Sequence, residues 1–247
     1  MSFISLNFVV LFACTFILYH TLPSRFRKAT LLTASCLFIG FYHLAFLITA
    51  LILTLTTFYL GKWIGQAKRE SGMKGIYFSG VCFLVVSWLA FRYADRLTNC
   101  HILFPLGISF YTFQAISYLT EIYWQEEEPE KSLPDFMIYM LFFMKFLSGP
   151  IERASDMLPQ LKSCKATDYT SMVYGMRLIV VGLIKKLILA DSIAPYIDGV
   201  FGSVYTASGV QLLMACLLYP IELYADFSGY TDIALGGARM LGFKLSP

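Results

Sequence analysis

The most restrictive feature of the sequence is a stretch of 33 residues, from Ala29 to Gly61, that contains no Asp, Glu, Lys or Arg. A membrane-spanning helix needs about 20 apolar residues, so this stretch is too long for one ordinary span and just long enough for two short ones. The aromatic segment GFYHLAF, at 40–46, favours a turn at the membrane interface between them. Because 57% of the whole chain is hydrophobic and only 14% is charged, a water-soluble fold of this size has no room to bury its apolar surface. We therefore predict an all-α, polytopic integral membrane protein, with a single membrane domain over residues 1–247.

The basic clusters indicate where the membrane helices begin and end. The first apolar run, at 3–19, comes before the basic cluster at 25–28, whereas a cleaved signal peptide has the opposite charge order. We interpret this run as a retained first helix whose C-terminal end lies in the cytoplasm. If the next basic cluster, at 62–74, is also cytoplasmic, an even number of crossings separates the two clusters, and the run at 76–93 is the fourth crossing. With basic residues in loops and a net charge of only +3, no nucleic-acid partner is expected.

The middle of the chain is less regular. Polar side chains are dense along 105–123, which favours packing against other protein or a watery cavity rather than against lipid. The acidic residues at 126–130 are interpreted as a solvated loop. The next apolar run, at 134–148, is short for a crossing, and the following piece, SGPIERASDMLPQL at 148–161, contains a glycine and two prolines. Irregular backbone beside hydrophobic segments is tolerated only where protein or a cavity surrounds it, so we predict a re-entrant element here.

Two later segments place charges beside apolar residues. Residues 171–190 are predicted to form a helix that Asp191 closes. We interpret Lys185 and Lys186, near its end, as a pair that extends its ammonium groups to a membrane interface. A role of these lysines in a functional site is the alternative. A further span is predicted at 209–225.

The last 22 residues, DFSGYTDIALGGARMLGFKLSP, are unusually polar for such an apolar chain. As a helix over 228–241, the segment places Asp232 and Arg239 on one face about 10 Å apart along the axis. Both can then contact the same neighbouring element. Asp226 and Ser228 are at positions where an N-cap is expected.

This polar tail has two interpretations. In the structural one, a cap starts the helix, its charges pair with the loop at 150–156, and small residues allow close approach of other backbones. The small residues are Gly229, Gly236, Gly237 and Gly242. In the functional one, the charges belong to a site, because an Asp or Arg at membrane depth costs roughly 2.5–3.5 kcal/mol on insertion scales. We favour the functional interpretation because the tail contains three such charges close together.

Four segments together resemble successive signatures of the membrane-bound O-acyltransferase family. They are PLGISFYTFQAISYLTEIY at 105–123, FLSGPIERASDMLPQL at 146–161, GLIKKLILAD at 182–191 and DFSGYTDIALGGARMLGF at 226–243. Their order and spacing match the family, and the resemblance covers essentially the whole chain. It is to the bacterial branch that contains alginate O-acetyltransferases and the teichoic-acid D-alanylation membrane protein.

The resemblance implies a helical bundle around a tunnel, with re-entrant elements, in the bacterial cytoplasmic (inner) membrane, which the chain crosses several times. An acyl group from an acetyl thioester or a carrier-linked donor would meet a hydroxyl of an exported polysaccharide, which is alginate-like in the leading interpretation. Extracytoplasmic partner proteins would deliver this acceptor. D-alanyl transfer to teichoic acid is the alternative within the family. No bound cofactor and no metal ion are expected.

The family's essential histidine lies in a Trp-His-Gly-like element of its second half, and this sequence contains no Trp-His pair. His20, His43 and His101 lie in no matching block, and we interpret them as structural or interfacial. We therefore assign no catalytic residue and expect the catalytic histidine beyond Pro247. The chain is predicted to be the N-terminal half of the fold and to be inactive alone. A non-catalytic remnant or scaffold and a small transporter are the alternatives of another class.

The resemblance also implies which residues of this chain line or brace the tunnel. They match the family's motifs and are the candidate site residues of the sequence. These candidates are Tyr111, Gln114, Pro150, Arg153, Asp226, Ser228, Tyr230, Asp232 and Arg239.

Overall fold

The computed structural model describes residues 5–67, 69–98, 105, 107–146, 149–164 and 167–246, and the side chains of 94–98 lie outside that description. Within these ranges the chain forms helices and no β-strand, which confirms the all-α fold. The helices are α1 (Leu6–Thr21), α2 (Ser24–Tyr42), α3 (Leu44–Gln66), α4 (Glu70–Thr98), α5 (Ile108–Tyr123), α6 (Leu133–Leu141), α7 (Ala154–Ser163), α8 (Tyr169–Leu183), a π-helical segment (Ile184–Ala190), α9 (Asp191–Gly202) and α10 (Gly209–Met240).

Three of the described helices are long and apolar enough to cross a membrane: α3, residues Glu70–Tyr93 of α4, and α10. The turn predicted at 40–46 is confirmed, because α2 ends at Tyr42 and α3 begins at Leu44. His43 separates them, and its Nδ1 accepts a hydrogen bond from the N–H of Ala45 at 3.3 Å. This histidine therefore caps a helix. The chain is a membrane protein, and the number of its crossings stays a prediction.

The chain divides into two compact units, one of Met1–Leu147 with Ile151–Ala166 and one of Ser148–Pro150 with Thr167–Pro247. In the first unit, α5 packs on α3 and α4, and α6 packs on α2, α3 and α7. A Cβ on Gly61 of α3 would lie 2.7 Å from the Tyr118 ring of α5, so only glycine permits this approach. The nine residues of α6 bring Phe136 and Tyr139 into the core, where both are fully buried.

The polar residues of α5 face protein, as the sequence predicts. Tyr111, Thr112, Gln114 and Glu121 are all less than 9% exposed, whereas Phe113 is 57% exposed. A lipid-facing helix shows the opposite arrangement. The segment after α6 follows an irregular path and then forms the short helix α7. Whether this part enters the bilayer as a re-entrant element stays a prediction.

Glu130 differs from the predicted solvated loop. Glu126–Glu128 are exposed, but Glu130 is only 4% exposed. Its Oε1 accepts hydrogen bonds from the N–H groups of Lys131 and Ser132 at 2.8 and 2.9 Å, and Lys162 Nζ lies 2.8 Å from its Oε2. Burial raises the pKa of this carboxyl, but Lys162 and the two N–H groups outweigh burial, so its pKa is below the ordinary value. The charge pattern of the loop did not reveal this because Lys162 belongs to α7.

We expect Glu130→Gln to lower the free energy of unfolding by about 1–3 kcal/mol, because two buried N–H groups and Lys162 lose a charged partner. Thermal unfolding of the detergent-solubilised protein at pH 7 measures the change. The difference from wild type should fade as the pH falls through the lowered pKa of Glu130, since protonation removes the same charge. Glu127→Gln, on the exposed part of the loop, is the matched control and should change stability by less than about 0.5 kcal/mol. Equal destabilisation by both substitutions would contradict the assignment.

In the second unit, α10 is one continuous helix, and the predicted N-cap at Asp226 or Ser228 is wrong. The helix starts earlier, where Ser208 and Gln211 form a capping box. Only the first four N–H groups of a helix lack partners within it, so near residues 226–228 none is left for Asp226 or Ser228 to cap. Both residues lie in mid-helix, where their side chains are free to contact another element.

Gly242, which the sequence predicts to allow close packing, lies in the turn that ends α10. It has a positive φ of 90°. The N–H of Gly242 donates to the carbonyl of Arg239 at 3.0 Å, and the N–H of Phe243 donates to the carbonyl of Ala238 at 2.9 Å. This is a Schellman motif, in which the residue after the C-cap adopts a left-handed conformation that favours glycine.

The helix predicted at 171–190 is longer than expected. It starts at Tyr169, changes to π-helical geometry at Ile184, and continues into α9 through Asp191. Asp191 is therefore the first residue of the next helix and does not end the segment. Its carboxylate lies 2.7 Å from Lys186 Nζ. π-Helical turns are rare and frequent at functional sites, and this one contains both lysines of the segment.

Candidate functional site

The candidate residues fall into two groups, one in each unit. The first unit holds Tyr111, Gln114 and Arg153. The second unit holds the five candidates on α10, and Pro150 is also grouped with it. Pro150 is half-buried in the irregular stretch before α7.

The second group lies where α8 and the π-helical segment meet α10, and glycines bring these helices together. A Cβ on Gly236 would lie 2.5 Å from the carbonyl oxygen of Gly175, and a Cβ on Gly182 would lie 2.6 Å from that of Gly229. The two glycines on each helix are seven residues apart, so two antiparallel helices touch at two levels. Close approach through Gly229 and Gly236 confirms the predicted packing role of these two residues.

Two ion pairs follow directly from this close approach. Lys185 Nζ donates hydrogen bonds to Asp232 Oδ2 at 2.6 Å and to Ser228 Oγ at 2.8 Å. Lys186 Nζ lies 2.5 Å from a carboxylate oxygen of Asp226 and 2.7 Å from one of Asp191. All four lysine and α10 aspartate side chains are no more than one-third exposed.

These pairs correct two interpretations of the sequence. Lys185 and Lys186 do not extend to an interface as a free pair, because each is bound to an aspartate of α10. The charges of Asp226 and Asp232, which the structural interpretation paired with the loop at 150–156, are matched by lysines of the preceding helical segment. Each ion pair offsets part of the cost of burying its two charges between helices, which helps the segment to tolerate them.

The Lys185, Ser228 and Asp232 cluster has the residue types of a Ser-Lys nucleophile pair, but its geometry does not support that chemistry. The Lys185 nitrogen donates to both oxygens, and an ammonium bound to a carboxylate at 2.6 Å has no lone pair to accept the Ser228 proton. The cluster therefore braces α10 against the π-helical segment and does not activate a nucleophile.

Aromatic rings complete this group at both ends. Lys186 Nζ lies 5.3 Å from the centre of the Tyr230 ring, and the Arg239 guanidinium lies 5.3 Å from that of Tyr174 on α8. Asp232 and Arg239 thus contact one continuous neighbouring helical segment, as their spacing predicted. Unlike the lysines, Arg239 has a buried nitrogen, Nη1, that bonds to no group in the described part of the chain. This donor is available to an anionic or carbonyl group.

The first group is built on α5. Gln114 Nε2 donates a hydrogen bond to the carbonyl of Tyr139 at 2.8 Å. The ring of Tyr111 stacks on Phe146 with 5.5 Å between ring centres, and its buried hydroxyl has no hydrogen-bond partner among the described residues. Arg153 precedes α7 in an extended conformation and is exposed. Gln114 therefore has a bracing role, while Tyr111 and Arg153 keep polar groups available.

Known proteins align with nearly the whole chain. The chain is 33% identical over 263 aligned residues to the "Probable alginate O-acetylase AlgI" of Azotobacter vinelandii, an alignment that covers 99% of this chain and 52% of that protein. The chain belongs to the membrane-bound O-acyltransferase family. It spans about half the length of the curated relatives that it matches most fully. No family model matches it.

Other relatives in the membrane-bound O-acyltransferase family differ in acceptor or in acyl group. The "Peptidoglycan O-acetyltransferase" of Helicobacter pylori is 28% identical, over 89% of this chain and 49% of its own length. The "Teichoic acid D-alanyltransferase" of Bacillus subtilis is 27% identical, over 56% of this chain and 36% of its own length. The three names state an acetyl group for alginate and for peptidoglycan, and a D-alanyl group for teichoic acid.

The described histidines have structural positions in this family member. The ring of His20 contacts that of Phe16 at a tilt of 57° with 4.5 Å between ring centres, and His43 caps α3. His101 lies outside the described residues. Among the described residues, no three of His, Cys, Asp or Glu are grouped as metal ligands.

Sequence reasoning missed three buried residues beside Gln114, namely Tyr139, Lys145 and Glu152. Tyr139 is 0%, Lys145 3% and Glu152 1% exposed. One signal was available, because Lys145 is the only charged residue between Asp135 and Glu152 in a strongly apolar run. A lysine in such a run needs either an interface or a buried partner.

Proposed function

We propose that this chain is part of a membrane O-acyltransferase that transfers acetyl groups to hydroxyls of an exported, alginate-like cell-surface polysaccharide. The observation that carries the proposal is the similarity to alginate O-acetylases over 99% of the chain. The enzyme would cross the bacterial cytoplasmic (inner) membrane several times. Its acyl donor would be an acetyl thioester or a carrier-linked acyl group, and extracytoplasmic partner proteins would present the acceptor.

D-alanyl transfer to teichoic acid is the second candidate function. The D-alanyltransferases align over 56% of the chain, whereas the alginate O-acetylases align over 99%. The wider similarity favours acetyl transfer. Both reactions form an ester from an activated acyl group and a hydroxyl, so the same scaffold serves either one.

Acyl transfer to a hydroxyl requires a base that accepts the hydroxyl proton and donors that stabilise the oxyanion of the tetrahedral intermediate. Neither described group contains a histidine, and Lys185 is bound to Asp232. We therefore assign the two groups to bracing and to polar contacts along the proposed tunnel. The base would come from a histidine outside these 247 residues, which is supported by the span of about half the relatives' length.

The test uses the complete protein encoded at the locus, expressed in a strain that lacks it, with ester-linked acetyl groups on the polysaccharide measured after mild alkaline release. We expect Asp232→Asn to lower acetylation about tenfold or more, because it leaves the Lys185 ammonium without its carboxylate between packed helices. Asp226→Asn should lower acetylation as well, because it leaves Lys186 with only the more exposed carboxylate of Asp191. Asp198→Asn, on the exposed face of α9, is the matched control and should retain activity. The amount of folded protein in each variant is measured by size-exclusion chromatography.

The outcomes separate the candidate functions. Release of D-alanine instead of acetate would support the second candidate. Full acetylation by both aspartate variants would contradict the role of the α10 group. Solute flux by the reconstituted wild type without any acyl transfer would instead favour a transporter, and absence of both activities would favour a scaffold.

A further inference from the structure

A groove between α1 and α2 belongs to neither group of candidate residues. One wall runs from Leu11 to Leu22, and the other runs from Phe26 to Leu37. Its volume is about 300 Å³, which is at the lower end of the range for ligand pockets. Both walls come from the first unit, so the groove is complete within that unit and is large enough for a slender ligand.

The walls of the α1–α2 groove favour an apolar occupant. Most of the lining side chains are Leu, Phe or Ala. The hydroxyl of Thr15 donates to the carbonyl of Leu11 at 2.7 Å, and the hydroxyl of Thr30 donates to the carbonyl of Phe26 at 3.0 Å. These two hydroxyls are therefore satisfied within their own helices. A ligand in the groove gains mainly from the burial of apolar surface.

The length of the groove matches one leaflet of a lipid bilayer. Leu22 is 11 positions after Leu11, and Leu37 is 11 positions after Phe26. Because a helix rises about 1.5 Å per residue, each wall is roughly 16 Å long. The hydrocarbon core of a bilayer is about 30 Å thick, so one leaflet contributes roughly 15 Å. The groove therefore offers apolar walls over the depth that one lipid acyl chain occupies.

A positive charge lies at the end of the groove where α1 is followed by α2. The Arg25 guanidinium lies 4.8 Å from the centre of the Phe26 ring, and Phe26 lines the groove. The neighbouring basic residues have protein partners, because Arg27 donates to a backbone carbonyl after α7 and Lys28 pairs with Asp135. Arg25 is exposed, and the ion pairs among the described residues do not include it. Its charge is therefore available to an anion at this end of the groove.

We propose that the α1–α2 groove binds one acyl chain of an anionic glycerophospholipid. The lipid phosphate lies at Arg25, and the chain follows the walls toward Leu11 and Leu37. A second copy of this chain would offer the same apolar and basic surface, which lacks the negative charge that Arg25 attracts. The sequence predicts that the basic cluster at 25–28 is cytoplasmic, and the cytoplasmic leaflet carries anionic lipids. This inference does not depend on the proposed acyl transfer.

The experiment uses phosphatidylglycerol with a photoactivatable diazirine on its acyl chain, at a trace fraction in phosphatidylcholine vesicles that contain the complete protein. Mass spectrometry of peptides after illumination measures the label on α1 and α2 relative to that on α4, whose Phe83 and Val86 are exposed apolar residues. We expect the wild type to carry more label on α1 and α2 than on α4. Unlabelled phosphatidylglycerol should displace this label about fivefold more effectively than phosphatidylethanolamine, because one basic residue near the surface favours an anionic lipid by about that factor.

Two substitutions test the wall and the charge separately. Ala29→Phe places a ring in the groove at an exposed position and should lower the relative label about fivefold or more, because the acyl chain loses buried contact area. Ala13→Phe is the matched control, since Ala13 is also exposed but does not line the groove. Arg25→Gln should remove the preference for phosphatidylglycerol over phosphatidylethanolamine. Arg69→Gln, at another exposed arginine, should keep that preference.

Three results would overturn the inference. Equal relative label in Ala29→Phe and wild type would mean that the label comes from bulk lipid and not from the groove. Equal displacement by phosphatidylglycerol and phosphatidylethanolamine in the wild type would exclude recognition of an anionic headgroup. Absence of label on α1 and α2 in the wild type would mean that protein covers the groove, and size-exclusion chromatography would then distinguish a second copy from another part of the complete protein.

Discussion

Gly182→Leu is expected to separate α8 from α10 and to remove the packed second unit. A Cβ at position 182 would lie 2.6 Å from the carbonyl oxygen of Gly229, 2.9 Å from Ile233 Cγ1 and 3.0 Å from Asp232 Cβ. Two of these neighbours belong to helix backbone or lie next to it, so they cannot move aside as the end of a flexible side chain does. Even Gly182→Ala should destabilise by about 1–3 kcal/mol, and leucine by more.

The same change also breaks the ion pairs, because they depend on the helix separation. The Lys185 nitrogen reaches Asp232 at 2.6 Å only while Gly182 and Gly229 are in contact. Thermal unfolding of the detergent-solubilised protein, followed by size-exclusion chromatography, measures the loss. Gly199→Leu and Gly199→Ala, on α9, are the controls, because nothing lies within 4 Å of a Cβ there. Alanine at 199 should stabilise by about 0.5–1 kcal/mol. A Gly182→Leu protein as stable as Gly199→Leu would show that α8 and α10 are not closely packed at Gly182.

Several features of the fold could be predicted from the sequence alone. Lengths and charges along the chain predicted the helices that are long enough to cross a membrane, and the break at His43. They also predicted which residues of α5 face protein, because polar side chains at high density are stable only there. Periodicity within one helix placed Asp232 and Arg239 on one face, and the structure confirms that both contact the same neighbouring segment.

Pairing between helices is what the sequence did not predict. Lys185 and Asp232 are 47 residues apart, and nothing in either segment alone identifies the other as its partner. A lysine near an apolar run is therefore interpreted as interfacial, and an aspartate before a helix-like run as a cap. Both rules describe a single helix, and both failed where a second helix supplied the partner. The buried Lys145 was missed for the same reason, since it is packed in by tertiary contacts such as the ring of Tyr139 on α6, 4.4 Å from its Nζ.

Lys145 should make the free energy of unfolding rise with pH between pH 7 and pH 10. Its pKa is lowered from the ordinary 10.5 to about 7 in the folded protein. Between these two values the unfolded chain holds a proton that the folded chain has released, so stability rises with pH by roughly 1.4 kcal/mol for each unit. Relative to Lys145→Met, wild type should therefore become about 3 kcal/mol more stable between pH 6 and pH 9. Thermal and denaturant unfolding of both proteins across this range measure the difference.

The control is Lys131→Met, because the side chain of Lys131 is 88% exposed. A constant difference between wild type and Lys145→Met would mean that the buried amine does not titrate in this range.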